Sequence, residues 1–458
     1  MDQTRCVHPF WLEPFEMRNH SSLMKRVLII AYYFPPMGMG GVQRTTKFAR
    51  YLPDFGWEPT VLTVKPVAYY AHDPSLLDEV KHVRIVRAES LDPLRLVQRL
   101  RKGEGAKTVP NASGGGLLSR IHGWMTRWFL IPDSKVLWRP FAKQAVRRLQ
   151  NERPFDLVLT SSPPHSVHAL GAWMQSKYGT PWVADFRDIW MGESYERGPT
   201  PFHNVLNARM ARCVVRRADA VISVSTPGSR ILEAVRGSSV HTLHNGFDAD
   251  DFKIKVEKDT PSERMTFTYT GSMNALFDPE DFLKAIRLLL EKHADMQSRI
   301  RIRFVGASSS TDLESSIRSF GLEDAVEWTG YVPHHESVRS LIQTDALLLP
   351  LEASLSEAHT PGKVFEYLAS GRPILGVMPE SEAARLIREY DAGQVVHPGD
   401  VQGIADALLN LYRAWENGAL KSHPVCRPSL QQFERKHQTG TLARMFDAIL
   451  SGLRGTAE

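Results

Sequence analysis

What most constrains the fold of this chain is an alternation that runs through it twice, in which short apolar runs are interleaved with longer segments of helical periodicity. In the first half the runs fall at 27–33, 59–64, 83–86, 156–160, 182–185, 220–224 and 240–243, with helical patterns at 42–52, 165–178, 204–217 and 226–235. In the second half runs at 266–270, 300–305, 326–328, 346–349, 374–376 and 394–396 alternate with helices near 279–293, 311–320, 335–343, 362–370, 380–389 and 401–414. An apolar run without polar alternation is a strand covered on both faces, and strands separated by helices pair in parallel. The expected fold class is therefore α/β, with two Rossmann-like doubly wound domains facing a cleft at the C-terminal ends of their strands, where open α/β sheets bind ligands.

The 458 residues exceed one ordinary core, and two domains of roughly 200 residues are the natural division. After HNGFD at 244–248 the sequence turns polar through KIKVEKDTPSER, which sets the expected boundary between a domain at 24–248 and one at 249–428. Residues 429–458 carry a last amphipathic segment, 430–453, that follows the completed second sheet and is expected to cross back to the first domain. Residues 1–23, with acidic Asp2, Glu13 and Glu16, lack the basic start and apolar run of a signal peptide. They read as a disordered leader, and Met24-Lys25-Arg26 as an alternative translation start.

An apolar content of 42% and a charged content of 23% fit a soluble globular protein. The net charge of +5 is mild and allows an anionic small molecule, an anionic membrane surface or nothing in particular, and no nucleic-acid partner is expected. Cys6, Cys213 and Cys426 follow no metal-ligand spacing and cannot all pair, which points to a reducing, cytoplasmic compartment. No run approaches the roughly 18 to 20 apolar residues that span a bilayer.

The stretch 359–375, HTPGKVFEYLASGRPIL, carries the clearest chemistry. Pro361 and Gly362 open a helix and Gly371 closes it, so the helix start and Lys363 offer an anion site. Glu366, one turn in, is an acceptor at the height where a ribose would follow its diphosphate. The plain alternative is an ordinary strand-loop-helix-strand unit. Gly38, Gly40 and Gly41 after the first strand permit close backbone approach, yet their spacing is not G-x-G-x-x-G, and Val364 after Gly362-Lys363 breaks the P-loop pattern. Asp185, Arg187 and Asp188 end a strand and are either catalytic groups or an internal salt bridge. His165 and His168 share a helix start, Arg44 on the first helix reaches an anionic acceptor or solvent, and 244–246 reads as the hinge turn. The segment 94–153 interleaves arginines and lysines with Trp124, Trp128, Phe129, Leu130, Trp138 and Phe141. It lies either on an anionic membrane surface or as a helix pair with its tryptophans in the core.

GGVQR after FPP, ADAVISVS, HNGFD, TGSM, WTGYVP and PGKVFEYLASGRPIL occur in this order from about Lys25 onward, and together they resemble the family-4-like glycosyltransferases of GT-B fold. DFRDIW and SSPPHSVH look most like the branch that builds bacterial surface polysaccharides. The resemblance implies a nucleotide diphosphate sugar held by the second domain and a lipid-linked or oligosaccharide acceptor held by the first. It further implies transfer with retention, no bound metal and no cofactor beyond the donor. Carried onto this sequence, Glu366 binds the donor ribose, Lys363 with Gly271 and Ser272 neutralises the diphosphate, and Gly40 and Gly41 close on the same phosphates. His168 and Asp185 are the acceptor-side candidates for catalysis. The family's first glutamate, eight residues before the ribose-binding one, is Ala358 here; either Glu357 substitutes or the sugar is contacted otherwise. Two rival functions are a nucleotide-sugar 2-epimerase and a non-catalytic sugar-nucleotide-binding subunit of an assembly complex.

Overall fold

A computed structural model of the chain describes residues 24–38, 40–66, 72–91, 128, 130–191, 198–254, 263–271, 273, 279–306, 313–354 and 357–454. The expected leader at 1–23, Ser272 and the 94–127 part of the basic aromatic stretch lie outside the described residues.

The first sheet comprises β1 (Lys25–Ile30), β2 (Trp57–Val64), β3 (Arg84–Ala88), β4 (Leu157–Ser162), β5 (Trp182–Phe186), β6 (Ala220–Ser223) and β7 (His241–Thr242), in the order β3-β2-β1-β4-β5-β6-β7. The second comprises β8 (Met265–Thr270), β9 (Ile300–Val305), β10 (Val326–Gly330), β11 (Ala346–Pro350), β12 (Ile374–Val377) and β13 (Gly393–Val396), in the order β10-β9-β8-β11-β12-β13. Every pairing is parallel. The chain thus forms two Rossmann-like parallel-sheet domains. The strand order of each sheet reverses beside its first strand, between β1 and β4 and between β8 and β11, and in open α/β sheets such switch points open the crevices in which ligands bind.

The helices are α1 (Gly40–Tyr51), α2 (Ser75–Asp78), α3 (Arg139–Glu152), α4 (His168–Tyr178), α5 (Pro201–Arg217) and α6 (Thr226–Arg236), then α7 (Glu280–Lys292), α8 (Leu313–Ser319), α9 (His334–Gln343), α10 (Lys363–Ser370), α11 (Glu382–Glu389), α12 (Val401–Glu416) and α13 (Arg435–Arg454). The unbroken apolar character of the first strand follows from having a helical layer on each face. Val27 and Ile29 pack with Phe48 of α1 and with Leu442 and Phe446 of α13, whereas Leu28 and Ile30 pack with Val146 of α3, Leu170 of α4 and Val215 of α5. Trp138 from the basic stretch is buried in this second layer, edge-on to Tyr32.

The segment expected as one helix over 430–453 divides at Glu434, whose backbone is extended. Before it, Leu430 and Phe433 belong to the second domain's core; after it, α13 lies on the first domain, where Phe446 meets Trp57 at 5.1 Å and Lys25 Nζ stands 2.6 Å from Asp447. Each buried leucine or phenylalanine on α13 contributes roughly 1.5–3 kcal/mol. Phe247 and Phe252 also join the second core, so that core begins one residue ahead of the expected boundary at 248.

Candidate active site between the two sheets

In the second domain, β11 leads through a loop into α10. Pro361 and Gly362 precede this helix and Gly371, at φ 72°, ends it. Two amides of this helix start are already engaged: Val364 N–H donates to Pro361 O and Phe365 N–H to Gly362 O. Lys363 adds its charge to this helix end. Its side chain crosses over Gly271 at the end of β8, and its ammonium lies 2.6 Å from Tyr269 Oη, with burial holding it down to about 8. A Cβ at Gly271, already at φ 126°, would come within 2.2 Å of Lys363 Cε. Only glycine leaves Lys363 this path. Lys363 and Gly271 are thus brought together at the switch point of the second sheet.

Glu366 follows one turn later, its side chain 23% exposed and its Oε1 3.9 Å from His334 Nε2. Burial pushes its carboxyl above the usual carboxylate range, and His334 opposes that rise. On the facing side, Gly40 and Gly41 are exposed at the start of α1, and no atom lies within 4 Å of where a Cβ of Gly40 would stand. Arg187 fixes this entry: it donates to Ser162 O, Pro163 O and Gly41 O, which joins the C-terminal ends of β4 and β5 to the first turn of α1.

The acceptor-side candidates are placed differently. Asp185 is fully buried, and both its oxygens are engaged: Arg44 donates Nε–H to Oδ2 at 3.0 Å and Nη2–H to Oδ1 at 2.9 Å, and Ser161 Oγ donates to Oδ2 at 2.7 Å. Asp185 is the carboxylate of an internal salt bridge, and its partner Arg44, 1% exposed, does not reach solvent or an acceptor. His168 is wholly enclosed, its Nδ1 2.8 Å from Thr160 Oγ1 and its ring 4.5 Å from that of Phe186. Burial pushes this imidazole well below its ordinary range, and it packs as a neutral core residue rather than facing the cleft. His165 is also buried, stacked 5.0 Å from Trp190. Glu357 is exposed, and it is Ala358 that turns inward, packing in the first domain's core with its carbonyl accepting from Ser225 Oγ. The loop is thus set by Ala358, and Glu357 beside it is exposed.

Several ties between the domains were not foreseen from sequence. Lys47 on α1, 1% exposed, meets Asp248 at 2.7 Å, Glu79 at 2.8 Å and Asp251 at 2.9 Å. Burial alone would lower its ammonium, but these carboxylates raise it. Glu382 at the start of α11 accepts from Thr226 N–H at 2.9 Å and Thr360 Oγ at 2.6 Å, with His244 Nε2 at 3.3 Å. Burial opposes its charge, yet these donors hold it down to about 2. The hinge closes the same junction: Arg44 and Gln438 both donate to His244 O, and a Cβ at Gly246 would strike Phe433 O. The visible hints were the acidic run after HNGF and a lysine one turn beyond Arg44. Among the described residues no three His, Cys, Asp or Glu side chains are placed to hold a metal ion.

A profile described as "Glycosyl transferase 4-like domain" matches residues 39–246, and one described as "Glycosyl transferases group 1" matches 264–414. The chain belongs to the GT-B glycosyltransferases. Over 281 residues, 57% of this chain and 67% of the relative, it is 27% identical to "Probable glycosyltransferase WbjE" of Pseudomonas aeruginosa. Sucrose-phosphate synthase from Thermosynechococcus elongatus superposes with a TM-score of 0.58 at 12% identity, covering 94% of this chain and 98% of that one. WaaG, a glycosyltransferase involved in lipopolysaccharide biosynthesis, does so with 0.53 at 13% identity, covering 91% and 95%. At these identities the superpositions establish the fold, and the family profiles carry the class of activity. The GT-B chain has no helix among its described residues long and apolar enough to cross a membrane.

Proposed function

We propose that this glycosyltransferase moves a sugar from a nucleotide diphosphate donor to a lipid-linked or oligosaccharide acceptor in the assembly of a surface polysaccharide, with retention and without a bound metal. The observation that carries the reading is the pairing of Lys363 with Gly271 at one switch point, one turn before Glu366, with Gly40 and Gly41 exposed at the start of α1 in the other domain. Lys363 supplies charge to the leaving diphosphate, where a cation acts without any proton transfer. Glu366 accepts the ribose hydroxyls.

Thermal shifts with UDP-, GDP-, ADP- and CMP-linked sugars and the free nucleotides test the donor half. Selective stabilisation by one nucleotide family is expected, and the matching sugar nucleotide should then support transfer that EDTA leaves intact. No stabilisation by any of them would overturn the reading, and a complete, metal-reversible loss of turnover would overturn its metal-free part.

The outer layer of the first domain supports a peripheral site on an anionic, cytoplasm-facing bilayer. Helices α3, α4, α5 and α6 carry eleven arginines and lysines and only two acids, Glu152 and Glu233, although the whole chain has a net charge of just +5. Phe202 and Val205 project from α5, 69% and 58% exposed, near Trp128 at 37%. Cations around projecting apolar side chains match an anionic lipid surface. The protein is expected to float with vesicles containing anionic phosphatidylglycerol and not with pure phosphatidylcholine, and Phe202→Asp with Val205→Asp should weaken that binding about tenfold without moving the melting temperature. Equal binding to both vesicles would remove this face from a membrane role.

A further inference from the structure

The first turn of α9 places a histidine beside the donor site that none of the motifs assigns. The His334 backbone N–H donates to Asp73 Oδ2 at 3.1 Å, and Asp73 is a buried residue of the first domain. Its Nε2 lies 3.2 Å from Asp251 Oδ2 and 3.9 Å from Glu366 Oε1. Asp251 in turn receives Lys47 Nζ from α1 at 2.9 Å. A single chain of charge therefore runs from the first domain, through the hinge turn, to the carboxylate read above as the ribose acceptor. One imidazole nitrogen facing two carboxylates offsets their repulsion only when the ring carries its positive charge.

We propose that His334 is a positioning residue for the donor: as an imidazolium it keeps the Glu366 carboxylate ionised and held toward the ribose. The proposal rests on the reading of Glu366 as the ribose-binding residue. Ionisation matters because a carboxylate accepts with both oxygens through charge-assisted bonds, whereas a protonated carboxyl turns one oxygen into a donor and accepts from two vicinal hydroxyls more weakly. Burial drives Glu366 toward the protonated form. The groups facing His334 are Asp251, Glu366 and Lys47, with Asp73 on its backbone; those facing Glu366 include Asp251, Lys47 and Arg435 of α13, and Lys363 lies one turn before it. Burial alone would lower the imidazole, but the two carboxylates push it up to about 9, so it is charged at neutral pH.

The test is calorimetric binding of whichever of UDP, GDP and ADP stabilises the wild type most, measured with wild type, His334→Gln, His334→Lys and Glu366→Gln. At neutral pH His334→Gln should bind about tenfold more weakly, with His334→Lys restoring most of the loss. As pH rises through about 9 the wild type loses the same charge, and the difference between it and His334→Gln should close. Lys363 is held down to about 8 and titrates in both proteins, so the ratio of affinities isolates His334. A difference that stays constant across this range, or a lysine variant no better than glutamine, would overturn the proposal. So would unchanged binding by His334→Gln where Glu366→Gln has lost it. Unchanged binding by Glu366→Gln would instead remove the ribose reading on which the proposal rests.

Discussion

Glu366→Ala is expected to lower transfer by at least about a hundredfold while melting within about 2 °C of the wild type. The first number follows from losing a charged acceptor for two hydroxyls: each charge-assisted hydrogen bond is worth about 1.5–3 kcal/mol, and 1.4 kcal/mol is tenfold. The second follows from what the side chain does in the fold. It is half-buried, its nearest ion contact is His334 at 3.9 Å, and that histidine keeps Asp251 at 3.2 Å when Glu366 is gone. Burial already disfavours the Glu366 charge, so truncation removes a costly group along with a weak contact. Steady-state kinetics on the donor identified by thermal shift, beside a melting curve, checks both halves. Turnover like that of the wild type would take Glu366 out of the site.

The strands were legible because their residues answer to two core layers at once. Leu28 and Ile30 are apolar toward one helical layer while Val27 and Ile29 are apolar toward the other, and no surface-bound segment needs that pattern. Lys363 and Glu366 were legible for a local reason as well, since Pro361, Gly362 and Gly371 punctuate a single short helix. What sequence did not show is how distant charges pair. Arg44 and Asp185 stand 141 residues apart and meet only because β4 lies between β1 and β5 in the folded sheet. The direction of a helical side chain is equally hidden. His168 begins a helix beside a strand, as an acceptor-side base would, but its ring turns down onto Thr160 and Phe186. Ala358 was read as a missing carboxylate; the structure shows an alanine that fits into the first domain's core, where a glutamate side chain would be buried among apolar groups.

The pairing of Arg44 with Asp185 leads to the other large effect, and it separates a structural carboxylate from a catalytic one. Asp185→Ala should destabilise the first domain by about 3–5 kcal/mol, because it strands a guanidinium that is 1% exposed with only the His244 carbonyl to accept from it. For a domain of this size that is a fall of roughly 10 °C in melting temperature. Arg44→Met combined with Asp185→Leu removes both charges and keeps the volume, and it should recover most of the loss, since a buried ion pair seldom outperforms well-packed apolar side chains. A catalytic Asp185 predicts the reverse pattern, in which Asp185→Asn melts like the wild type and only turnover falls. The geometry favours the first pattern. Arg44 and Ser161 between them engage both Asp185 oxygens, and the carboxylate is fully buried, so it does not face the cleft to take a proton from an acceptor hydroxyl.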